Sequence, residues 1–323
     1  MTLYENSMIL RHLQPLAAVF NIAGVSEQIY SVYLQCRPAD KFYPSQMYST
    51  LITVDTLNQN LDDPAWIFID CRYDLMDSNA GYRTYLDEHI HRAVYADLKH
   101  DLSGPPVTDH GRHPMPTPER LNDLFSTLGI SHDSQVVAYD GSFGTVAARL
   151  WWLLRYMGHL GVCVLEGGWQ TWSRSGFVTE QLDRRNPKTH FHGEPQQDWV
   201  VKIDKVASTP RLIDAREPTR YHGEQEPIDP IAGHIPGAIN HYWKHNLDAE
   251  GRFLPPQRLK QLYLDLYAGV SPEQAVFYCG SGVTACHDIL AAVHAGLPAP
   301  RLYAGSWSEW CSDGGRPIAT AHG

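Results

Sequence analysis

The chain has 323 residues, 43% of them hydrophobic and 19% charged, which is typical of a protein that buries sizeable cores in two domains. A formal net charge of −10 argues against a nucleic-acid partner and against an anionic membrane surface. Six cysteines in so long a chain do not indicate a disulfide framework, and no apolar run approaches the ~18 residues of a membrane span. A reducing cytoplasm is therefore the simplest location.

Residues 1–48 show the weakest pattern of alternating apolar and polar residues in the chain. The apolar stretch over 10–25 opens with a single arginine, Arg11, and is interrupted by Asn21, so it is a poor secretory signal. We expect residues 1–48 to be a poorly ordered N-terminal extension, with globular patterning beginning near Leu51.

From Leu51 onward, apolar runs typical of buried strands alternate with helical patterns. The predicted elements of the first half are a helix over 53–61, a strand over 65–69, a partly helical segment over 82–91, a loop over 104–118, a helix over 117–128, a strand over 135–139, a helix over 145–157, a strand over 162–165 and a helix ending near 175. Alternating strands and helices predict a parallel sheet flanked by helices.

The second half repeats the first after a linker rich in proline and histidine. Leu212-Ile213-Asp214-Ala215-Arg216 resembles Phe68-Ile69-Asp70-Cys71-Arg72, and Gly305-Ser306-Trp307 resembles Gly167-Gly168-Trp169. The first copy is longer, and its extra length corresponds to the loop over 104–118. We therefore predict an extension over 1–48, a first domain over 49–185, a linker over 186–200 and a second domain over 201–323, the two domains being related by duplication.

The second copy carries a cysteine at its central loop. An apolar strand over 275–278 leads into Cys279-Gly280-Ser281-Gly282-Val283-Thr284, and a helical pattern starts at Thr284. Glycines let successive backbone amides turn toward one point, and a helix start adds its positive dipole end. A thiol held there should have a lowered pKa and be mostly thiolate. In the first copy, Asp140 stands at the corresponding position, where it could also cap a helix, and it cannot carry sulfur.

The loop from Cys279 to Thr284 closely resembles the active-site loop of sulfurtransferases in the rhodanese superfamily, and the tandem arrangement is similar to that of two-domain rhodaneses. The resemblance covers roughly Leu51 to the C-terminus. It implies an α/β fold of two rhodanese-like domains, each a parallel sheet flanked by helices. The first would be catalytically silent at its central loop, and the second would carry the chemistry.

The resemblance also implies site residues. Cys279 would be the nucleophile that holds sulfur as a persulfide, with Ser281 and His113 as further catalytic residues that relay a proton. Backbone groups of Gly280, Gly282, Val283 and Thr284 would stabilise the sulfur, and Arg220 would bind the carboxylate or sulfonate of an anionic donor.

Two departures from the family pattern are visible. Lys99 stands where an acidic partner of His113 is expected, near Asp97, so the relay is incomplete or shifted. Ile228 stands where many 3-mercaptopyruvate enzymes have a second arginine, which weakens the expected grip on a carboxylate. We expect the sulfur to be open to solvent in a groove between the domains, close to the Arg220 guanidinium.

The donor is the open question within this interpretation. Because Gly280 and Ser281 are neutral, we favour 3-mercaptopyruvate over dianionic thiosulfate, with thiosulfate:cyanide transfer as the alternative. The expected acceptors are a thiol, cyanide or a thioredoxin-like protein. No cofactor and no metal are indicated, since the sequence has no Gly-x-Gly-x-x-Gly and no paired-cysteine spacing for zinc.

Two interpretations of other classes are less favoured. A phosphatase with the pattern Cys-x5-Arg would need an arginine where Ala285 stands. A non-catalytic sulfur-carrier or regulatory module remains open, although such modules typically lack the cysteine that this chain keeps together with Arg220.

Overall fold

The computed structural model describes residues 47–107 and 110–321. The predicted N-terminal extension, apart from its last two residues, lies outside these ranges. None of the described helices is long and apolar enough to cross a membrane.

The described strands are short and mostly buried. They are β1 (Leu51–Ile52), β2 (Trp66–Asp70), β3 (His89–Ile90), β4 (Val94–Tyr95), β5 (Gln135–Tyr139), β6 (Val162–Leu165), β7 (Thr179–Glu180), β8 (Arg211–Asp214), β9 (Ile239–Asn240), β10 (Ala275–Tyr278) and β11 (Arg301–Leu302).

The described helices alternate with these strands along most of the chain. They are α1 (Val54–Gln59), α2 (Ala80–Asp87), α3 (Pro118–Thr127), α4 (Thr145–Tyr156), α5 (Gly168–Ser175), α6 (Ile203–Val206), α7 (Pro218–Tyr221), α8 (Pro256–Tyr267), α9 (Thr284–His294) and α10 (Ser306–Trp310). Short 3-10 helices lie at Gln197–Trp199, Trp243–Asn246 and Pro272–Gln274.

Two parallel sheets form the centres of the two halves. In the described residues the first sheet has the strand order β1-β6-β5-β2-β4, and the second has the order β11-β10-β8-β9. All neighbours in both sheets run parallel, whereas β3 and β7 form a small antiparallel ribbon. The predicted fold class, two parallel sheets flanked by helices, is confirmed.

Local sequence signals account for several element boundaries. The hydroxyl of Thr117 accepts a hydrogen bond from the backbone N–H of Arg120 at 3.3 Å, and proline occupies the first turn of α3. Such capping satisfies an amide that the helix itself leaves unpaired. Gly129 follows the helix at φ +83°, a conformation that glycine adopts without steric cost.

The duplication extends to internal cross-links. Arg72 forms a two-pronged ion pair with Asp70, and Arg216 forms the same pair with Asp214. Each guanidinium also donates a hydrogen bond of 2.6 Å to a backbone carbonyl. In the first half the carbonyl belongs to Glu88, and in the second half it belongs to Gly233. These aspartates end the equivalent strands β2 and β8, so each pair anchors its loop to the sheet edge where the central loop emerges.

The two halves share a continuous apolar core. Helix α4 of the first half and helix α9 of the second contact each other, and buried residues of both helices, among them Leu150 and Leu290, belong to one cluster. This packing brings the central loops of the two sheets to the interface between the halves.

Candidate active site

The cysteine lies at the end of an inner strand of the second sheet. Strand β10 is flanked by β8 and β11, and Cys279 follows its last residue. The loop then ends at the first turn of α9, which starts at Thr284. In open parallel sheets, ligands bind outside the carboxyl ends of the strands, and here the helix N-terminus favours an anion at that edge.

Backbone amides of the loop surround the sulfur. The N–H of Gly282 donates to Cys279 Sγ at 3.1 Å, and the N–H of Cys279 donates to Ser306 Oγ at the same distance. Gly282 has φ +77°, and a Cβ built on it would lie 2.4 Å from the carbonyl oxygen of Ala304. Only glycine fits this position without displacing the backbone of the neighbouring loop.

Opposing effects act on the thiol. Burial raises the pKa of Cys279, but the hydroxyl of Thr284 and the amides of Ala285, Ser281 and Gly282 donate to the sulfur, and the resulting pKa lies below the ordinary value for cysteine. The hydrogen bonds favour the thiolate because they are stronger to the charged sulfur. The sequence expectation of a lowered pKa agrees with this geometry.

In the first half, backbone amides surround the Asp140 carboxyl group in the same way. Both oxygens of Asp140 accept backbone hydrogen bonds, at 2.7 Å from Ser142, 2.9 Å from Gly144, 2.8 Å from Val146 and 2.9 Å from Ala147. Asp140 is fully buried and thus caps the start of α4 from the preceding loop. A carboxyl group therefore occupies in the first domain the place that Cys279 occupies in the second, and burial raises its pKa although the four amides lower it.

His113 reaches the loop from the first domain. Its Nδ1 lies 2.8 Å from the hydroxyl oxygen of Ser281, although the two residues are 168 positions apart. Burial, together with the charges of Arg149 and Arg112, lowers the pKa of His113 to about 3. The imidazole is therefore neutral at physiological pH, and the sequence-predicted pair of Ser281 and His113 is brought into contact.

The acidic partner expected for His113 does not join this pair. Asp97 Oδ1 instead accepts the backbone N–H groups of Lys99 and His100, both at 2.8 Å, and its Oδ2 accepts the Tyr95 hydroxyl at 3.3 Å. The sequence placed Lys99 at the partner's position, and in the structure the hydrogen bonds of Asp97 go to its own loop and to Tyr95.

Arg220 lies in a cluster of charges beside the cysteine loop. It binds Glu226 through two nitrogens, the shortest contact being 2.7 Å, and Asp229 at 2.9 Å. The other carboxylate oxygen of Asp229 accepts from Arg112 of the first domain. A Cβ built on Gly280 would lie 3.5 Å from both terminal nitrogens of Arg220, which places the guanidinium over the residue next to Cys279.

A cavity of about 270 Å³ joins these groups. Cys279, Ser281, His113 and Arg220 all line it, together with Val283 and Thr284 and with side chains of the first domain such as Tyr73 and Leu75. Cys279 itself is only 2% exposed, so the expectation of a sulfur open to solvent is wrong. Docking of the two halves covers the sulfur, and substrates must reach it through this cavity.

Three residues that sequence reasoning did not assign to the site contact its loop. Ser306 accepts from the Cys279 amide, Arg149 donates to the carbonyl of Gly282 at 3.1 Å, and the Arg112 guanidinium lies over Gly280. Ser306 could have been found, because it lies in the repeated Gly-x-Trp motif and stands where the first copy has Gly168. Arg112 and Arg149 come from the other domain, and no local pattern indicates their contacts.

Comparisons with known proteins agree with this geometry. A family model described as "Rhodanese-like domain" matches residues 53–175 and again 197–313. A Pseudomonas aeruginosa protein named "Probable 3-mercaptopyruvate sulfurtransferase" is 44% identical over 279 residues, covering 84% of this chain and 98% of that protein. The rat protein named "Thiosulfate sulfurtransferase" is 29% identical over 278 residues, covering 82% of this chain and 92% of the rat protein.

Solved structures show the same architecture. The 3-mercaptopyruvate sulfurtransferase from Leishmania major superposes with a TM-score of 0.73 at 30% sequence identity, covering 83% of this chain and 75% of that one. The sequence resemblance and the predicted fold are thereby confirmed. The chain belongs to the rhodanese family of sulfurtransferases, with two rhodanese-like domains in tandem.

Proposed function

We propose that the protein takes sulfur from 3-mercaptopyruvate, holds it as a persulfide on Cys279 and passes it to a thiol or to cyanide. The observation that carries this proposal is the sulfur of Cys279, which is stabilised by four donors inside a cavity that also contains the Arg220 guanidinium. A nucleophile and an anion-binding cation in one cavity suit a donor that has a carboxylate at one end and a thiol at the other.

In the first step the Cys279 thiolate attacks the donor sulfur, and a new S–S bond forms. The carbon–sulfur bond of the donor breaks, and its electron pair stays on carbon as the enolate of pyruvate. Protonation of that carbon gives pyruvate. The amides of Gly282 and Ala285 then stabilise the persulfide as they stabilised the thiolate.

Ser281 and His113 would supply this proton. The Ser281 hydroxyl donates to the enolate carbon and is reprotonated from water through the imidazole, which lies 2.8 Å away. Because the pKa of His113 is about 3, the imidazole enters this relay neutral at physiological pH.

In the second step an acceptor attacks the outer sulfur of the persulfide. The S–S bond breaks, and its electron pair returns to Cys279 as thiolate. A thiol acceptor leaves as a persulfide and cyanide leaves as thiocyanate. A small thiol or the cysteine of a thioredoxin-like protein in a reducing cytoplasm fits this chemistry, and the compartment stays a prediction from the sequence.

Transfer from thiosulfate is the alternative, and the rat relative carries that name. The carboxylates of Glu226 and Asp229 are almost fully buried and already balance the nearby guanidinium groups. Gly280 and Ser281 add no further positive charge. This balance favours a monoanionic donor over a dianionic one.

Steady-state turnover of both donors with cyanide, side by side, tests the ranking. We expect a higher kcat/KM with 3-mercaptopyruvate, and a higher value with thiosulfate would reverse the assignment. The non-catalytic alternative is tested by incubating the protein with donor alone. The intact mass should rise by one sulfur atom on Cys279, and Cys279→Ser should abolish this addition.

A further inference from the structure

Arg112 is held firmly across the interface between the domains. Its backbone N–H donates to Ser308 Oγ at 3.1 Å, and its guanidinium binds the buried carboxylate of Asp229. The preceding residue, Gly111, has φ +81°, and a Cβ built on it would lie 2.7 Å from the carbonyl oxygen of Gly305. The loop of the first domain that contains Gly111 and Arg112 therefore packs closely against the second domain.

The Arg112 side chain points at the residue next to the nucleophile. A Cβ built on Gly280 would lie 2.9 Å from one terminal nitrogen of Arg112 and 3.5 Å from two of Arg220. Both arginines line the cavity that contains Cys279. Two guanidinium groups therefore converge on one point beside the sulfur, one from each domain.

Asp229 holds these two cations together, with one carboxylate oxygen on each. Burial lowers the pKa of Arg112, and the positive charge of Arg220 lowers it further. Two partly buried like charges repel each other, and Asp229 already relieves part of that repulsion, so a donor carboxylate would share the two guanidinium groups with it. The geometry of two planar forks also matches the two oxygens of a carboxylate.

We propose that Arg112 is a donor-binding residue, which together with Arg220 binds the carboxylate of a short α-keto acid whose sulfur reaches Cys279. The first domain, which has Asp140 in place of a nucleophile, thereby contributes directly to recognition of the substrate. The identity of the keto acid rests on the proposed function, whereas the anion-binding role of Arg112 does not.

Alkylation of Cys279 tests the anion-binding role without turnover. Iodoacetate is an anion and iodoacetamide is neutral, and peptide mass spectrometry follows the modification of Cys279 by each reagent in wild type, Arg112→Gln, Arg112→Lys and the control Arg174→Gln. Arg174 is an exposed arginine of the same domain that lines a different crevice between the halves.

In Arg112→Gln, we expect iodoacetate to react about tenfold or more slowly, the effect of losing a hydrogen bond to a charged group, with iodoacetamide unchanged. Arg112→Lys should keep part of the preference for iodoacetate because it keeps the charge. Arg174→Gln should behave as wild type. Equal slowing of both reagents, or no slowing of iodoacetate, would overturn the proposal.

Steady-state kinetics distinguish two roles of Arg112: binding the donor, and only holding the Asp229 side chain in place. With whichever donor wild type turns over, Arg112→Gln should lower kcat/KM about 10- to 100-fold, mainly through KM. Asp229→Asn should not raise KM, because it removes a carboxylate that competes for the two guanidinium groups. If Asp229→Asn reproduces the loss, Arg112 acts only on Asp229 and the proposal fails. Failure of 3-mercaptopyruvate turnover in wild type would count against the proposed function alone.

Discussion

At Cys279, burial and hydrogen bonding act in opposite directions on one sulfur. Burial disfavours the thiolate, whereas Thr284 and three backbone amides favour it and prevail. Asp140 shows the same opposition at a carboxyl group: burial raises its pKa, whereas four backbone amides lower it. Both groups have four donors, and in the second domain the hydroxyl of Thr284 takes the place of one of the four amides.

Replacement of Thr284 by valine should therefore raise the pKa of Cys279. A hydrogen bond to a charged group contributes about 1.5–3 kcal/mol, which corresponds to about 1 to 2 pKa units. The rate of alkylation by iodoacetamide as a function of pH measures this shift. Thr127→Val, at an exposed threonine of α3, serves as the control. An unchanged profile in Thr284→Val would mean that the amides alone set the pKa.

Gly282 allows a matched pair of substitutions. Gly282→Ala meets both a positive φ and the carbonyl oxygen of Ala304, whereas Gly296→Ala has a similar φ of +78° with no atom within 4 Å of the added Cβ. Backbone strain of this kind costs about 1–3 kcal/mol. We expect Gly282→Ala to lower the free energy of unfolding more than Gly296→Ala does, as measured by urea denaturation. Only Gly282→Ala should also slow alkylation of Cys279, and equal effects would contradict this reasoning.

At the scale of elements, helix α4 of the first domain contacts the cysteine loop of the second domain. Arg149 is fully buried and donates to the carbonyl of Gly282, while its Nε and second terminal nitrogen have no hydrogen-bond partner among the described residues. The buried arginines Arg72 and Arg216 each form an ion pair with an aspartate, whereas no ion pair of Arg149 is seen among the described residues. Its charge faces the loop that carries the thiolate.

Arg149→Met should change reactivity more than stability. Methionine keeps the apolar volume and removes a costly buried charge, a change that is often neutral or stabilising. The carbonyl of Gly282 keeps only the weak donor Cys286 Sγ, at 3.3 Å, so the amide of Gly282 should be held less firmly against Cys279 and alkylation should slow. Calorimetry and alkylation rates measure the two effects, with Arg155→Met on the same helix as the control. Unchanged reactivity would make Arg149 a packing residue only.

Elements with strong local signals were predicted well. The strands over 135–139, 162–165 and 275–278 have the observed bounds, because continuous apolar runs bounded by turns suit buried parallel strands. Helix α3 begins after its predicted cap, Thr117. The short strand β4 was not predicted, because two residues are too few to show a hydrophobic periodicity. They form a strand only because β2 lies beside them.

At the scale of the whole molecule, His287 links the domains. Its Nε2 lies 3.2 Å from the carbonyl oxygen of Phe143 in the first domain, and its Nδ1 lies 3.3 Å from Asn246. Burial lowers the pKa of His287 to about 3, although the bond to Phe143 opposes this effect. In the unfolded chain a histidine titrates near pH 6.5.

This difference gives His287 a defined effect on acid stability. Between pH 6.5 and about 3 the unfolded chain binds a proton at this residue and the folded chain does not, so stability falls as pH falls. The contribution is about 1.4 kcal/mol per pH unit. His287→Gln should lack it, so its free energy of unfolding should fall less steeply than that of wild type below pH 6.5. Parallel curves from urea denaturation at several pH values would refute the assignment.

The sequence alone determined the duplicated α/β architecture, the strand, loop and helix around Cys279, and the aspartate at the corresponding position of the first copy, because these depend on neighbours along the chain. Only the tertiary structure decided what completes the site. His113, Arg112 and Arg149 all reach the cysteine loop from the other domain, and the hydrogen bond between His113 and Ser281 spans 168 positions. Such contacts follow from how the apolar faces of α4 and α9 pack, and that packing also encloses the sulfur that the sequence had placed in open solvent.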